Sequence, residues 1–339
     1  MGEKILVAMS GGVDSSAAAL LLKEKGYDVS GLMLRLYGDE GFEESARDAK
    51  AVCEKIGIPF YTADYRDEFY KRVICAFISA YENGETPNPC VLCNHKVKFE
   101  FMLREADRIG AEKIATGHYV RMENSLIKKG KDEKKDQSYM LAYLKREQIC
   151  RTLFPLGDMT KEEIREIAKN AELPVAHKKD SQDICFIPDG DYVSFICGVT
   201  KKNYPDGDFT DLNGNILGRH KGIIRYTTGQ RKGLGLSLPA PMYVIDKDVK
   251  NNKVVLGTNA ELFKNECTVT DVNMLTDISL PMRAEVKVRY SHIASPAVLY
   301  LCENGCVRVV FDEAQRAITR GQTAAFYSGD ILLGGGKIE

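Results

Sequence analysis

The sequence predicts an α/β protein: a doubly wound parallel sheet, then a small β-containing middle domain, then a C-terminal β-barrel. Three observations predict it. Strand and helix patterns alternate from residue 1 to about 116, as in βα units that build a parallel sheet. A glycine-rich turn joins the first strand to the first helix, and ligands of such sheets bind at the carboxyl ends of the strands. After about Asn203 glycines become frequent, helical periodicity fades and short alternating β-rich runs take over, which suits antiparallel strands with one buried face. The expected divisions are 1–202, 203–266 and 267–339.

Each element has a local reason. Lys4–Met9 is an apolar strand-like run. The helix after it stops near Gly26, a natural C-cap. Residues 28–34 form a second expected strand, 43–56 a helix ended by Gly57, 58–62 a third strand and 67–81 a long helix. A Pro-rich loop precedes a helix from Lys96 to Ile109 that keeps Phe99, Met102, Leu103, Ala106 and Ile109 on one face. Lys113–Ala115 is a short strand. The charged run 128–136 reads as a solvated loop. Thr160 to Glu163 is a capping box that starts a helix. In the C-terminal part the runs 243–245, 253–256, 284–290, 297–301, 307–311 and 323–327 read as strands, and Asn304-Gly305 is a hairpin signal.

Bulk properties narrow the function. The 339 residues allow two or three domains at ~100–200 residues each. No apolar stretch reaches membrane-spanning length and no signal peptide precedes the first strand, so the expected location is cytoplasmic, with no membrane partner. Ten cysteines then suggest thiols, metal ligands or catalytic groups before a disulfide framework. A net charge of −1 gives no global attraction for nucleic acid. Such a partner has to be held by local basic patches.

The chemistry concentrates in two motifs. Ser10-Gly11-Gly12-Val13-Asp14-Ser15-Ser16 follows the first strand and opens a helix. Glycines let a charged group approach the backbone, and helix-start amides attract anions. No Gly-Lys-Ser/Thr closes the loop, so it is not a Walker loop. It resembles the pyrophosphate loop of ATP pyrophosphatases, which split ATP between its α- and β-phosphates and leave AMP on a substrate oxygen. The bland alternative is a plain strand-to-helix turn. The second motif is Thr86-Pro87-Asn88-Pro89-Cys90-Val91-Leu92-Cys93-Asn94, with a helix expected just after Cys93. A thiol near a helix N-terminus has a lowered pKa. A third cysteine lies in the segment Lys179 to Phe186, at Cys185. A lone Cys-x-x-Cys is equally a zinc half-site, a redox dithiol or chance. Cys53, Cys75 and Cys150 fall in apolar helical patterns, while Cys302 and Cys306 flank the Asn304-Gly305 turn as expected strand residues; all five read as packing.

Taken together with Ala115-Thr-Gly-His-Tyr119, Lys135-Asp-Gln-Ser-Tyr139, Ile184-Cys-Phe186, Gly229 to Gly235, Lys287-Val-Arg-Tyr290 and Leu333 to Gly336, these motifs resemble the tRNA-specific 2-thiouridylase family across nearly the whole chain. The resemblance implies a PP-loop ATP-pyrophosphatase domain, a middle domain and a β-barrel. It implies adenylation of the C2 oxygen of a wobble uridine in tRNA, followed by replacement with sulfur. It places Ala8, Met9, Ser10, Gly11, Gly12, Val13, Asp14, Ser15, Leu34 and Gly117 at ATP. Asp14 is expected to position Mg2+ by its charge, its bland role being helix N-capping. By the same resemblance Cys93 is the nucleophile-type cysteine and Cys185 carries a persulfide sulfur. Asn88, Pro89, Cys90, His118, Lys135, Asp136, Gln137, Arg289, Tyr290 and Gln322 fall where the family meets tRNA.

One departure stands out. Many family members carry Asp where this chain has Cys90. With it, Cys90, Cys93 and Cys185 are three cysteines that could converge, and three thiolates can hold a 4Fe-4S cluster with one open iron. The persulfide and cluster routes stay open, and Cys90 is a catalytic candidate on the second. The sulfur donor is a relay protein, a cysteine desulfurase or free sulfide, and a monomer binding one tRNA is the default. Local basic groups, such as Arg231-Lys232 and Arg283 to Arg289, offer phosphate contacts, and Tyr290 a stacking surface. The rival readings are a PP-loop enzyme adenylating a small molecule, a non-enzymatic iron–sulfur or RNA-binding module, and a pure sulfur carrier. Neither of the last two needs Ser10–Ser16.

Overall fold

The structure, a computed structural model, describes residues 2–38, 40–180 and 184–339. The chain divides into two compact units. The first comprises Met1–Val73, Cys90–Phe186 and Gly329–Leu333; the second comprises Ile74–Pro89, Ile187–Ser328 and Gly334–Glu339.

The first unit is built on a parallel sheet. β1 (Lys4–Ala8) pairs in parallel with β2 (Asp28–Arg35) on one side and β4 (Lys113–Ala115) on the other. β3 (Phe60–Asp64) extends the sheet beyond β2, and Thr152–Leu153 extends it beyond β4. The order of strands therefore reverses at β1, running to β2 and β3 on one side and to β4 on the other, which makes the point between β1 and β4 the switch point where such sheets bind ligands. Ile5, Leu6 and Val7 are fully buried, as expected for a strand covered on both faces. Helix α1 (Val13–Glu24) packs Ala17, Ala18 and Leu22 into a core shared with Val52 and Cys53 of α2 (Glu40–Ile56) and with Ile164 and Ala168. Gly31 in β2 makes room for Cys53: a Cβ there would come within 2.8 Å of the Cys53 sulfur. Burial pushes that thiol up to about 12, so it is a packing group.

Several boundaries differ from the sequence reading. The third strand runs over 60–64, two residues later than expected. The long helix loosens into a π turn at Tyr70–Ile74 between Arg66–Phe69 and Cys75–Glu82. The helix expected from Lys96 begins at Pro89, whose fixed φ suits a first helical position. It continues through a π turn at Asn94–Lys98 into Phe99–Ile109. The charged run is not simply a loop. Lys128 and Lys129 end a strand, Leu126–Lys129, that forms a hairpin with Val120–Glu123. The two turn residues, Asn124 and Ser125, have φ of 50° and 63°, as primed hairpin turns require. Asp136 is buried. Cys75 and Cys150 are exposed instead of packed.

In the second unit, Gly207–Thr210, Ile216–His220, Tyr243–Asp248 and Lys253–Gly257 form a four-stranded sheet. The C-terminal region is a closed six-stranded antiparallel barrel of Phe263–Met274, Met282–Lys287, Ser295–Leu301, Val307–Arg316, Thr323–Ser328 and Ile331–Ile338. It closes where Val269 pairs with Ile338. The Asn304-Gly305 turn forms as expected, with Gly305 at φ 73° and a Cys302 N–H to Cys306 carbonyl bond of 2.9 Å. Cys302 and Cys306 themselves sit just outside the strands. No helix among the described residues is long and apolar enough to cross a membrane.

Candidate active site

The nucleotide loop follows directly from β1. Gly11 has a φ of +70°, and a Cβ there would lie 2.4 Å from the Ser45 carbonyl oxygen, so only glycine fits without strain. Gly12 caps α1, and the first helical amides have no intrahelical acceptor. The loop ties itself down. Ser15 Oγ accepts from the Ser10 amide at 3.1 Å, and Ser16 Oγ donates to the Gly12 carbonyl at 2.8 Å. Gly117, after β4, packs against the start of α1: its Cβ would meet Asp14 C and Ser15 N at 3.0 Å. Ala8 ends β1, Met9 and Val13 are buried behind the loop, and Leu34 is half-buried near the end of β2. Glycines at the points of close approach, serine hydroxyls, a helix start and a carboxylate together suit the phosphates of ATP and their Mg2+.

Asp14 opens a chain of alternating charge. Its Oδ1 accepts from Tyr119 Oη and from Lys161 Nζ, both at 2.7 Å. Lys161 also pairs with Asp180 at 2.8 Å, and Asp180 takes Lys135 and Arg165, each at 2.8 Å. Burial alone would raise the Asp180 carboxyl, yet the hydrogen bonds and charges of Lys135 and Lys161 hold it down to about 2. Desolvation and the Asp14 charge push the Tyr119 hydroxyl upward, so it stays a donor. The sequence reading missed Lys161 and Tyr119. One signal was present for Lys161: a lysine at the positively polarised start of a helix is misplaced unless carboxylates hold it.

The thiols lie in the same unit. Cys93 ends the short helix Pro89–Cys93, and Cys90 is in its first turn. The expected lowering of the Cys93 pKa does not occur: burial pushes the thiol up to about 12, against the pull of the Lys98 ammonium. Because the helix begins four residues earlier, Cys93 no longer stands at an open N-terminus. Cys90 and Cys185 expose part of their surface, but protein atoms crowd their sulfurs and raise both thiols, again against Lys98. The charge of Cys93 is felt with those of Cys90 and Cys185, so the three belong to one neighbourhood. None of the ten cysteines is in a disulfide. The donor set suits an iron–sulfur cluster in kind, yet among the described residues no three His, Cys, Asp or Glu are placed to hold a metal ion. Ser181, Gln182 and Asp183 of the segment before Cys185 lie outside the described residues.

His118 connects the two halves. It follows Gly117 and its ring centroid lies 5.9 Å from that of Phe99, the residue after Lys98. Its Nδ1 shares a 2.8 Å hydrogen bond with Thr116 Oγ1. Burial holds the imidazole down at about 3, so it is neutral.

The remaining tRNA candidates fall in two places. In the first unit, Asp136 is buried and accepts from the Gly130 and Ser138 amides and the Ser138 hydroxyl. Gln137 Oε1 accepts from the Tyr119 amide at 3.0 Å. In the second unit, Gln322 donates to the Thr86 carbonyl at 2.6 Å, two residues before Asn88 and three before Pro89. Arg289 donates to Thr319 Oγ1 at 2.7 Å, and the Lys287 ammonium sits 5.4 Å from the Tyr290 ring centroid.

Comparison with known proteins decides the family. Consecutive family models match residues 3–189 (tRNA methyl transferase HUP domain), 194–258 (tRNA methyl transferase PRC-barrel domain) and 264–338 (aminomethyltransferase beta-barrel domain). The tRNA-specific 2-thiouridylase MnmA of Clostridioides difficile is 46% identical over 100% of this chain and 99% of its own length. The MnmA of Clostridium beijerinckii is 47% identical, with 100% and 99% covered. The chain belongs to the tRNA-specific 2-thiouridylase family. MnmA 2 of Clostridium botulinum strain Langeland, at 48% identity over 99% of this chain and 98% of its own, is a further thiouridylase relative. Among solved structures, the U34-tRNA thiolase NcsA of Methanococcus maripaludis matches at 23% identity and a TM-score of 0.38, covering 60% of this chain and 67% of that one, a likeness too low to bear on the thiouridylase site.

Proposed function

We propose that this protein makes 2-thiouridine in tRNA by transferring AMP to the C2 oxygen of the wobble uridine and then replacing that oxygen with sulfur. One observation carries the reading: Gly117 packs on Asp14 and Ser15, its neighbour His118 packs beside Phe99, and the adjoining Lys98 acts on Cys90, Cys93 and Cys185. The nucleotide loop and the thiols thereby draw on one neighbourhood.

ATP is a substrate here. Ala8 to Ser15, Leu34 and Gly117 hold it, and Asp14 positions the Mg2+ that draws charge from the phosphates. The uridine oxygen attacks the α-phosphorus, a P–O bond forms and pyrophosphate leaves. AMP is then a good leaving group where oxide was not. On the persulfide route Cys185 carries the sulfur, whose terminal atom attacks C2 as AMP departs. Two electrons must reach the transferred sulfur, and Cys93 supplies them by closing a disulfide with Cys185, which an external thiol reopens. Cys93 must lose its proton first, and Lys98 favours that. The sulfur comes from a relay protein, a cysteine desulfurase or free sulfide. The tRNA is met by Asn88, Pro89, Cys90, His118, Lys135, Asp136, Gln137, Arg289, Tyr290 and Gln322, in a cytoplasmic enzyme that works as a monomer. The target base must leave its stack, at a cost of a few kcal/mol. The division into 1–202, 203–266 and 267–339 belongs to this reading, supported by the three consecutive family matches.

The second reading is a 4Fe-4S cluster on Cys90, Cys93 and Cys185, supported by the kind of donor and by the electrostatic proximity of the three thiols, though among the described residues they are not placed to hold a metal ion. When bound, it would supply an iron that carries sulfide. Iron and sulfide analysis after anaerobic purification separates the routes: an iron-free protein that thiolates tRNA ends the cluster reading. The main test incubates protein, tRNA, ATP, Mg2+ and a sulfur donor and measures 2-thiouridine and AMP. Wild type should form both, and Cys93→Ala and Cys185→Ala no 2-thiouridine. AMP formation on a small acid without tRNA would replace the reading with small-molecule adenylation.

A further inference from the structure

Lys161 is buried beside the nucleotide loop and has no part in the reaction as described above. Its side chain is 7% exposed, and its ammonium lies between two carboxylates, 2.7 Å from Asp14 Oδ1 and 2.8 Å from Asp180 Oδ1. An ammonium loses its hydration when buried and is tolerated there only when paired. It also stands at the first position of the helix Lys161–Asn170, the end that repels cations. Both costs are met by the same two carboxylates.

The bonding pattern is directional. Lys161 Nζ and Tyr119 Oη converge on one oxygen of Asp14, Oδ1. No hydrogen bond among the described residues reaches Oδ2. Lys161 is itself fixed at both ends. Its amide donates to Asp132 Oδ2 at 3.0 Å, and Asp180 is anchored by Lys135 and by Arg165, which also holds the Lys178 carbonyl at 3.2 Å. A carboxylate clamped at one oxygen presents the other in a set direction, as partners behind a metal ligand do.

We propose that Lys161 is a positioning residue: with Tyr119 it clamps Oδ1 of Asp14, so that Oδ2 is the oxygen offered to the metal ion of bound ATP, and Asp180 holds Lys161 in that pose. This rests on the reading of Asp14 as the metal-positioning carboxylate. It makes Lys161 a partner of the carboxylate, not of the phosphates.

The test uses the full chain, α,β-methylene-ATP (which cannot be split between the α- and β-phosphates) and Mn2+ as a spectroscopic probe. Two affinities are measured: that of the analogue in chelator, by calorimetry, and that of Mn2+ for the analogue-loaded protein, by electron paramagnetic resonance. Lys161→Met should weaken Mn2+ about tenfold while leaving the metal-free nucleotide affinity within about twofold. Tyr119→Phe and Asp180→Asn, milder changes that keep the test alive if Lys161→Met fails to fold, should weaken Mn2+ by about threefold each. Lys161→Arg should recover part of the loss. Metal-free affinity falling as far as Mn2+ affinity in Lys161→Met would make Lys161 a phosphate ligand and overturn the proposal, as would unchanged Mn2+ affinity in Tyr119→Phe and Asp180→Asn. Asp14→Asn separates the two readings: if it leaves Mn2+ binding intact, the role given to Asp14 fails; if it abolishes Mn2+ binding while the other variants do nothing, only the role given to Lys161 fails.

Discussion

At the nucleotide loop, charges are already matched: Lys161 lies between Asp14 and Asp180, and Asp180 also pairs with Lys135 and Arg165, all at 2.7–2.8 Å. At the thiols the opposite holds. Cys90, Cys93 and Cys185 are all raised by desolvation, Cys93 to about 12, and the cation nearby, Lys98, does not offset it. The polar half is preorganised: its side-chain charges are already fixed by one another and need no rearrangement. The sulfur half is held protonated, and a thiol is neither a nucleophile nor a metal ligand until it becomes a thiolate. In the proposed reaction the thiols must therefore lose their protons before sulfur transfer, whereas the paired charges at the loop need no such change.

The largest expected effect separates the two halves outright. Cys93→Ala or Cys185→Ala should lower 2-thiouridine formation on the order of a thousandfold or more, while α,β-methylene-ATP affinity, measured by calorimetry, stays within about twofold. A parallel loss of nucleotide binding would mean that the halves are not independent. Next, the Cys93 thiol should react with iodoacetamide at pH 8 on the order of 10³ times more slowly than free cysteine, since its thiolate fraction is that much smaller. Peptide mass spectrometry reads this, and the rate should climb with pH up to about 12. Fast labelling at neutral pH would erase the contrast. Third, Gly11→Ala places a Cβ against Ser45 at a positive φ. It should cost ~1–3 kcal/mol, seen as a lower denaturation midpoint and weaker nucleotide binding, with thiol labelling unchanged.

The last effect concerns the joint between the halves. His118 is held neutral, its pKa about 3 against the usual 6.5. The unfolded chain takes up this proton below pH 6.5 and the folded chain does not until about 3. The stability His118 contributes is therefore full above pH 6.5 and falls as pH drops through that window, by up to about 1.4 kcal/mol per pH unit. Urea unfolding at pH 7 and pH 5 should show the slope, and His118→Gln should flatten it by one proton's worth. An unaltered slope would mean that the folded protein takes up the His118 proton as readily as the unfolded chain does.

The sequence made the nucleotide loop legible because its chemistry is local: two glycines, three serines and an aspartate in a strand–loop–helix setting specify backbone and ligand together. The parallel sheet and barrel were legible from alternation and periodicity for the same reason. Lys161 was not, because its role depends on Asp14 and Asp180, distant in sequence, and the capping box around it explains the position without them. The Cys93 thiol was misread because a helix start was placed at Lys96 when Pro89 begins it, and because burial cannot be read from a Cys-x-x-Cys spacing. Asp136 looked like part of a solvated charge run, although Gly130 and Ser138 enclose it.

The central claim is that the oxygen lost from the base leaves on AMP. A tRNA carrying 18O at C2 of the wobble uridine, thiolated with ATP, Mg2+ and a sulfur donor, tests it in one measurement. Mass spectrometry should find one 18O in the AMP for each 2-thiouridine formed. Thiolated tRNA accompanied by unlabelled AMP, with the 18O in water, would contradict it.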